Sequence, residues 1–140
     1  MSRISNIEFK ARVEDLSFHE NKFLALNPRF VGTDFQTDTY FNTTHGRLKL
    51  REGNIENALI QYDRPNEAGS KSSQGILYNH LPDYALKEIL IKQFGVKVVV
   101  KKKRLIYFID HVKFHFDDVD ELGNFIEVEV TNPNGNFTFD

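Results

Sequence analysis

Three well-separated segments of this chain alternate charged and apolar residues at a spacing of two, and they segregate charge by segment. Asn6-Ile7-Glu8-Phe9-Lys10-Ala11-Arg12-Val13 sets Glu8, Lys10 and Arg12 against Ile7, Phe9, Ala11 and Val13. Arg47-Leu48-Lys49-Leu50-Arg51 repeats the design with cations only, and Phe125-Ile126-Glu127-Val128-Glu129-Val130 with anions only. Successive side chains of a strand point to opposite faces, so each segment presents one apolar and one charged face. A charged face in water gains most by mixing signs across neighbouring strands. Segregation by strand points instead to a polar cavity.

At 140 residues the sequence predicts one domain, residues 1–140, large enough to bury a core without disulfide or structural metal. Cysteine is absent, which removes thiol chemistry and zinc-thiolate sites and fits a reducing compartment. No apolar run approaches the roughly 20 residues of a membrane span, and Met1-Ser2-Arg3-Ile4-Ser5 lacks an apolar signal core, so the expectation is a soluble cytoplasmic protein without membrane partners. Eighteen Lys and Arg against 20 Asp and Glu give a net charge of -2, which offers no global attraction to nucleic acid. Any anion site must come from local concentration of cations.

The pattern predicts eight strands and two helices. A strand over 5–13 runs into Asp15 or Ser17, either able to cap a helix carrying Leu16, Phe23, Leu24 and Leu26. Extended segments follow over 29–43, 47–52 and 58–64, then a loop from Pro65 to Ser73 that holds Lys71. After a short strand at Ile76-Leu77-Tyr78, Leu86, Ile89, Leu90 and Phe94 mark a second helix, with Gly95 at its C-terminus. Strands over 96–109, 112–117 and 125–131 complete the series, and the tail from Asn132 reads as loop. The expected fold is α+β: a mostly antiparallel sheet closed into an eight-stranded barrel with a polar interior, flanked by helices on its apolar face.

The charged registers collect seven cations, Lys10, Arg12, Arg47, Lys49, Arg51, Lys102 and Arg104, and four carboxylates, Glu8, Asp117, Glu127 and Glu129. Taken singly, Glu127 and Glu129 read as a solvated face, Arg47 to Arg51 as evenly a solvated face or an anion site, Lys101 to Arg104 as the guard of an edge strand, and His115 as a satisfied polar side chain. Seven cations converging on one space repel unless an anion fills it, and Arg and Lys suit phosphate through forked or point-charge hydrogen bonds. Several phosphates are implied. Glu8, Glu127 and Glu129 offer oxygen-only ligation, which selects magnesium or manganese over zinc.

These motifs resemble the CYTH, or triphosphate tunnel metalloenzyme, superfamily, which includes class IV adenylate cyclases and thiamine triphosphatases. Residues 4–131 carry the resemblance. Its markers are Asn6-Ile7-Glu8-Phe9-Lys10, similar to the family's E-x-E-x-K signature; His45-Gly46-Arg47-Leu48-Lys49-Leu50-Arg51; Gln61-Tyr62-Asp63-Arg64-Pro65; Lys71; Lys102-Lys103-Arg104; His115-Phe116-Asp117; and Leu122 to Glu129. The resemblance implies Glu8, Glu127 and Glu129 as holders of magnesium or manganese. It implies Lys10, Arg47, Lys49, Arg51, Arg64, Lys71, Lys102 and Arg104 as contacts to a triphosphate, with Lys10 and Asp117 as catalytic residues. Two departures stand out: Asn6 occupies the position of the signature's first Glu, and the chain stops soon after the eighth strand, where family members usually continue into further helix. Dimers are common in the family, though nothing in the sequence specifies an interface.

The expected function is a metal-dependent enzyme on ATP or another organic triphosphate. It either cyclises ATP to cyclic AMP with release of pyrophosphate or hydrolyses the terminal phosphate. The alternative, motivated by Asn6, is a non-catalytic module that binds polyphosphate or phosphorylated metabolites.

Overall fold

The computed structural model describes residues 2–63 and 71–131, with side chains within 5–63 and 74–131. The chain runs β1 (Ser2–Val13), α1 (Leu16–Leu24), β2 (Arg29–Phe41), β3 (Arg47–Glu52), β4 (Asn57–Asp63), β5 (Lys71–Asn79), α2 (Tyr84–Phe94), β6 (Val96–Ile109), β7 (Val112–Val119) and β8 (Gly123–Thr131). The strands close in the order β1-β5-β4-β3-β2-β6-β7-β8, and all eight pairings are antiparallel. Closure leaves no exposed sheet edge and divides every strand between lumen and outer wall.

Register decides which set faces inward. Glu8 pairs with Glu129 and Lys10 with Glu127; Glu127 pairs with His115, and Arg104 with both Asp117 and Asp34. Partners opposite one another share a face, so the charged alternations of β1, β3, β6, β7 and β8 all line the lumen.

The helices seal parts of the outer wall. Asp15 caps α1 by accepting from the Phe18 N–H, and Phe23 packs its ring against Tyr107, Phe114 and Phe116. Tyr107 also donates to Glu20 at 2.5 Å, tying the helix to β6. Asp83 caps α2, and Gly95 ends it at a φ of 73°, a left-handed backbone that glycine adopts without a Cβ penalty. Leu86, Leu90 and Ile91 of α2 cover Phe41, Leu48, Leu50 and Leu59.

Three sequence expectations need correction. The helix expected to carry Leu26 ends at Leu24, and both leucines are exposed, while Phe23 and Glu20 face the barrel. Ile89 and Phe94 are exposed too, since α2 turns its Leu86–Leu90–Ile91 face inward. The strand expected at 76–78 starts at Lys71, so that residue begins β5 opposite Glu8 instead of riding on a loop; the long β1 offers ladder partners that Ser72 and Ser73 can fill as readily as any residue. Arg64 and the tail from Asn132 lie outside the described residues. Among the described residues, no helix is long and apolar enough to cross a membrane.

Candidate functional site: a charged tunnel with two chambers

Two cavities of about 740 and 500 Å³ adjoin in the barrel and share Lys10, Tyr40 and Lys102 in their walls. The lining is not uniformly polar. β4 and β5 contribute Ala58, Ile60, Tyr62 and Leu77, an apolar wall facing the ionic ones.

Four carboxylates, Glu8, Glu56, Glu127 and Glu129, line the larger chamber beside Lys49, Arg51, Arg104 and Lys113. Among the described residues no carboxylate lines the smaller chamber, where Lys10, Arg47, Lys97 and Lys102 meet Tyr40 and Phe125. The two ends of the tunnel therefore differ in electrostatic character.

Two arginines are locked by forked carboxylates. Arg51 donates from Nε and Nη2 to Asp38 at 2.9 and 2.8 Å, and Arg104 does the same to Asp117 at 2.8 Å each. Arg104 Nη2 also donates to Glu127 at 3.1 Å. Burial opposes ionisation of Asp38, but the Arg51 fork outweighs it and holds the carboxyl well below its usual range. Arg51 keeps Nη1 toward Glu56 at 3.5 Å, and the forks set the positions of both guanidiniums in advance.

Lys49 stands differently. Its Nζ lies 5.7 Å from the Tyr40 ring centroid and 5.4 Å from that of Tyr62, and no carboxylate pairs with it among the described residues. Burial, then the neighbouring Arg51, pushes the amine down to about 7. Lys102 falls to about 8 through burial and Arg104, although Asp38 lies 3.5 Å from its Nζ. Lys10 rests against Phe125, 5.0 Å from the centroid. Among the described residues Lys49 and Lys10 have no carboxylate counter-ion, whereas Lys102 shares Asp38 with Arg51.

The carboxylates on β1 and β8 form the opposite pole. Glu8 lies within hydrogen-bond reach of Glu127, and two carboxylates so placed share a proton or a cation. Burial pushes the Glu129 carboxyl up, against the pull of Lys113. Asn6 Nδ2 donates to Glu129 at 3.2 Å, and its buried Oδ1 has no hydrogen-bond partner. An all-oxygen donor set of this kind fits magnesium or manganese. A second grouping, His115, Asp117 and Glu127, brings ligand atoms within 4.8 Å of one another. It fits a metal poorly, because Arg104 occupies both oxygens of Asp117 and one of Glu127. His115 donates or accepts at Nδ1 toward Glu127 at 2.9 Å, and burial, then Arg104, pushes its imidazole down to about 4.

The structure thus brings Glu8, Lys10, Arg47, Lys49, Arg51, Lys102, Arg104, Glu127 and Glu129 to the walls of one tunnel. Asp117 sits behind Arg104 and is fully buried. The side chains of Arg64 and Lys71 lie outside the described residues. Sequence reasoning missed Lys113, Glu56, Asp38, Gln36 and Asp34. Lys113 was accessible as the member of the 113, 115, 117 series before His115. Asp34, Gln36 and Asp38 also alternate, but Thr37, Thr39 and Tyr40 blur the contrast between faces.

Comparison with known proteins agrees with this architecture. The chain is 26% identical over 132 residues to a Methanocaldococcus jannaschii protein named "Putative adenylate cyclase MJ0240", covering 88% of this chain and 75% of that one. The solved PH1012 protein of Pyrococcus horikoshii superposes with a TM-score of 0.77 at 26% identity, covering 89% of this chain and 77% of its own. HpAC1 from Hippeastrum, described as having a dominant triphosphatase activity, shares the fold with a TM-score of 0.63 at 17% identity, covering 91% and 80%. The CYTH domain family matches residues 5–140, and the chain belongs to that family.

Proposed function

We propose that this chain is a metal-dependent enzyme that breaks a phosphoanhydride bond of an organic triphosphate. The observation that carries the reading is the polarity of the tunnel: Lys10, Arg47 and Lys49, which have no carboxylate partner among the described residues, adjoin the clustered carboxylates Glu8, Glu127 and Glu129. A phosphate chain neutralises the first group, and a divalent ion the second.

Glu8, Glu127 and Glu129 would hold magnesium or manganese, which when bound offsets charge that develops as a P–O bond breaks. Lys10, opposite Glu127 on the neighbouring strand, bridges the two groups. Lys49 and Lys102 favour their charged form when phosphate arrives, because the anion offsets the burial and the cationic neighbours that push them down. Arg51 and Arg104 offer pre-positioned N–H donors, held by Asp38 and Asp117. Asp117 acts here by orienting Arg104; proton transfer through it would require that fork to open.

Hydrolysis, with water attacking the terminal phosphorus to form orthophosphate while the organic diphosphate leaves, is the reading we favour, because it needs no separately positioned ribose hydroxyl. The name of the M. jannaschii relative supports the other reading, in which a ribose 3'-hydroxyl attacks the α-phosphorus and pyrophosphate leaves. Incubation with ATP, inorganic triphosphate and thiamine triphosphate, each with magnesium or manganese, separates them. Orthophosphate identifies a triphosphatase and its substrate; cyclic AMP plus pyrophosphate identifies a cyclase. Ligand left intact, with thermal stabilisation by triphosphate, identifies a binding module.

A further inference from the structure

The turn between β3 and β4 is pinned far more heavily than a connection requires. Asp34, fully buried, accepts from the N–H groups of Ile55 and Glu56 at 2.9 and 3.0 Å. Asn54 accepts from Phe35 N–H at 2.6 Å and donates to Thr33 O at 2.9 Å. Asn57 exchanges two more hydrogen bonds with the backbone of Gly53. Adding a Cβ at Gly53 would bring it within 2.5 Å of Asp34 Oδ1, so the turn and its anchor fit without slack.

What this turn holds in place is one side chain. The Glu56 carboxylate reaches across the lumen from the β3–β4 end to β7. One oxygen lies 3.5 Å from Arg51 Nη1 and accepts from Gln36 at 3.1 Å; the other pairs with Lys113. Burial opposes its charge, but Lys113 and Arg51 hold the carboxyl down at about 2, so it is an anion at any physiological pH.

Along β3, Arg47, Lys49 and Arg51 step inward from the smaller chamber over about 13 Å of strand. Glu56 lies next to Arg51, the last of the three. A phosphate chain therefore meets, among the described residues, cations and no carboxylate in the smaller chamber, and the fixed Glu56 anion at the far end of β3.

We propose that Glu56 is the stop that limits how far a phosphate chain runs into this tunnel, so that substrate enters phosphate-first through the smaller chamber. The organic group then stays among Tyr40, Val98, Leu122 and Phe125 at that mouth. This rests on the triphosphate reading and deepens it: the substrate class is one with a free terminal phosphate chain and an organic group at the other end. The stop works in two ways. It repels phosphate directly, and it engages Lys113 and the outer edge of Arg51, which would otherwise make a further anion subsite.

Isothermal titration calorimetry with magnesium present tests this on wild type, Glu56→Gln and Lys113→Met, using inorganic triphosphate and tetraphosphate. In wild type, the fourth phosphate is expected to add less than threefold in affinity. In Glu56→Gln, it is expected to add at least tenfold, because the chain slides deeper onto Arg51 and Lys113. Lys113→Met breaks the same cross-tunnel pair but leaves the carboxylate, and is expected to show no such gain. Equal gains in both variants, or a Glu56→Gln protein that weakens both ligands alike while keeping its thermal midpoint, would overturn the stop and leave Glu56 a counter-ion. If Glu56→Gln does not fold, a gain in Lys113→Met alone overturns it. Wild-type protein that binds neither ligand overturns the triphosphate reading itself.

Discussion

Arg104 and Asp117 meet as a fork across β6 and β7, Nε to Oδ1 and Nη2 to Oδ2, with side chains 3% and 0% exposed. Arg51 and Asp38 repeat the arrangement across β2 and β3. A buried guanidinium needs such a partner, and removing the partner leaves an uncompensated charge.

Asp117→Asn is therefore expected to lower the free energy of unfolding by about 3 kcal/mol, since Glu127 still touches Arg104. Equilibrium denaturation with urea measures it. A variant with wild-type stability that loses only turnover would return Asp117 to a proton-transfer role.

Glu129→Gln is expected to leave the fold standing, because burial already disfavours the charged carboxylate. Its cost should appear in the metal: at least a tenfold higher magnesium or manganese requirement, on the scale of changes around metal ligands. Titrating metal against turnover and against thermal midpoint reads both effects. Unfolding of the variant, or unchanged metal dependence, would remove Glu129 from the ligand set.

Asn6→Glu adds a fourth carboxylate beside Glu129, where Asn6 now donates a hydrogen bond. Metal-free protein should lose thermal stability through like-charge repulsion, while the stabilisation conferred by magnesium should grow. Differential scanning fluorimetry with and without the ion gives the comparison; a smaller magnesium shift than wild type would argue against a metal next to residue 6.

Triphosphate binding should take up protons near neutral pH. The Lys49 amine, pushed down to about 7 in the free protein, rises toward its ordinary range when phosphate fills the tunnel. The complex then holds more protons than the free protein, so affinity falls as pH rises above about 7. Calorimetry at pH 8 in two buffers of different ionisation enthalpy measures the uptake, which Lys49→Met should reduce. For the free protein the sign is opposite: a depressed lysine costs stability below about 7, and that cost is relieved as pH rises toward the unfolded value.

The alternation of charge at spacing two carried most of this architecture. Period two names a strand and sorts its faces locally, which is why Glu8, Lys10, Arg47, Lys49, Arg51, Glu127 and Glu129 were legible as one lining. Helix caps at Asp15 and Gly95 are equally local, and both appear where the residues indicate. Depth along the tunnel is not local. That Asp117 sits behind Arg104, or that Glu56 crosses to Lys113, depends on the stagger between strands 13 to 57 residues apart, which no single segment encodes. Pleat sets orientation residue by residue, so the inward faces of the charge-alternating strands could be read locally; which of those side chains touch, and the part played by Asp38, Glu56 and Lys113, followed from register among all eight strands once the barrel closed.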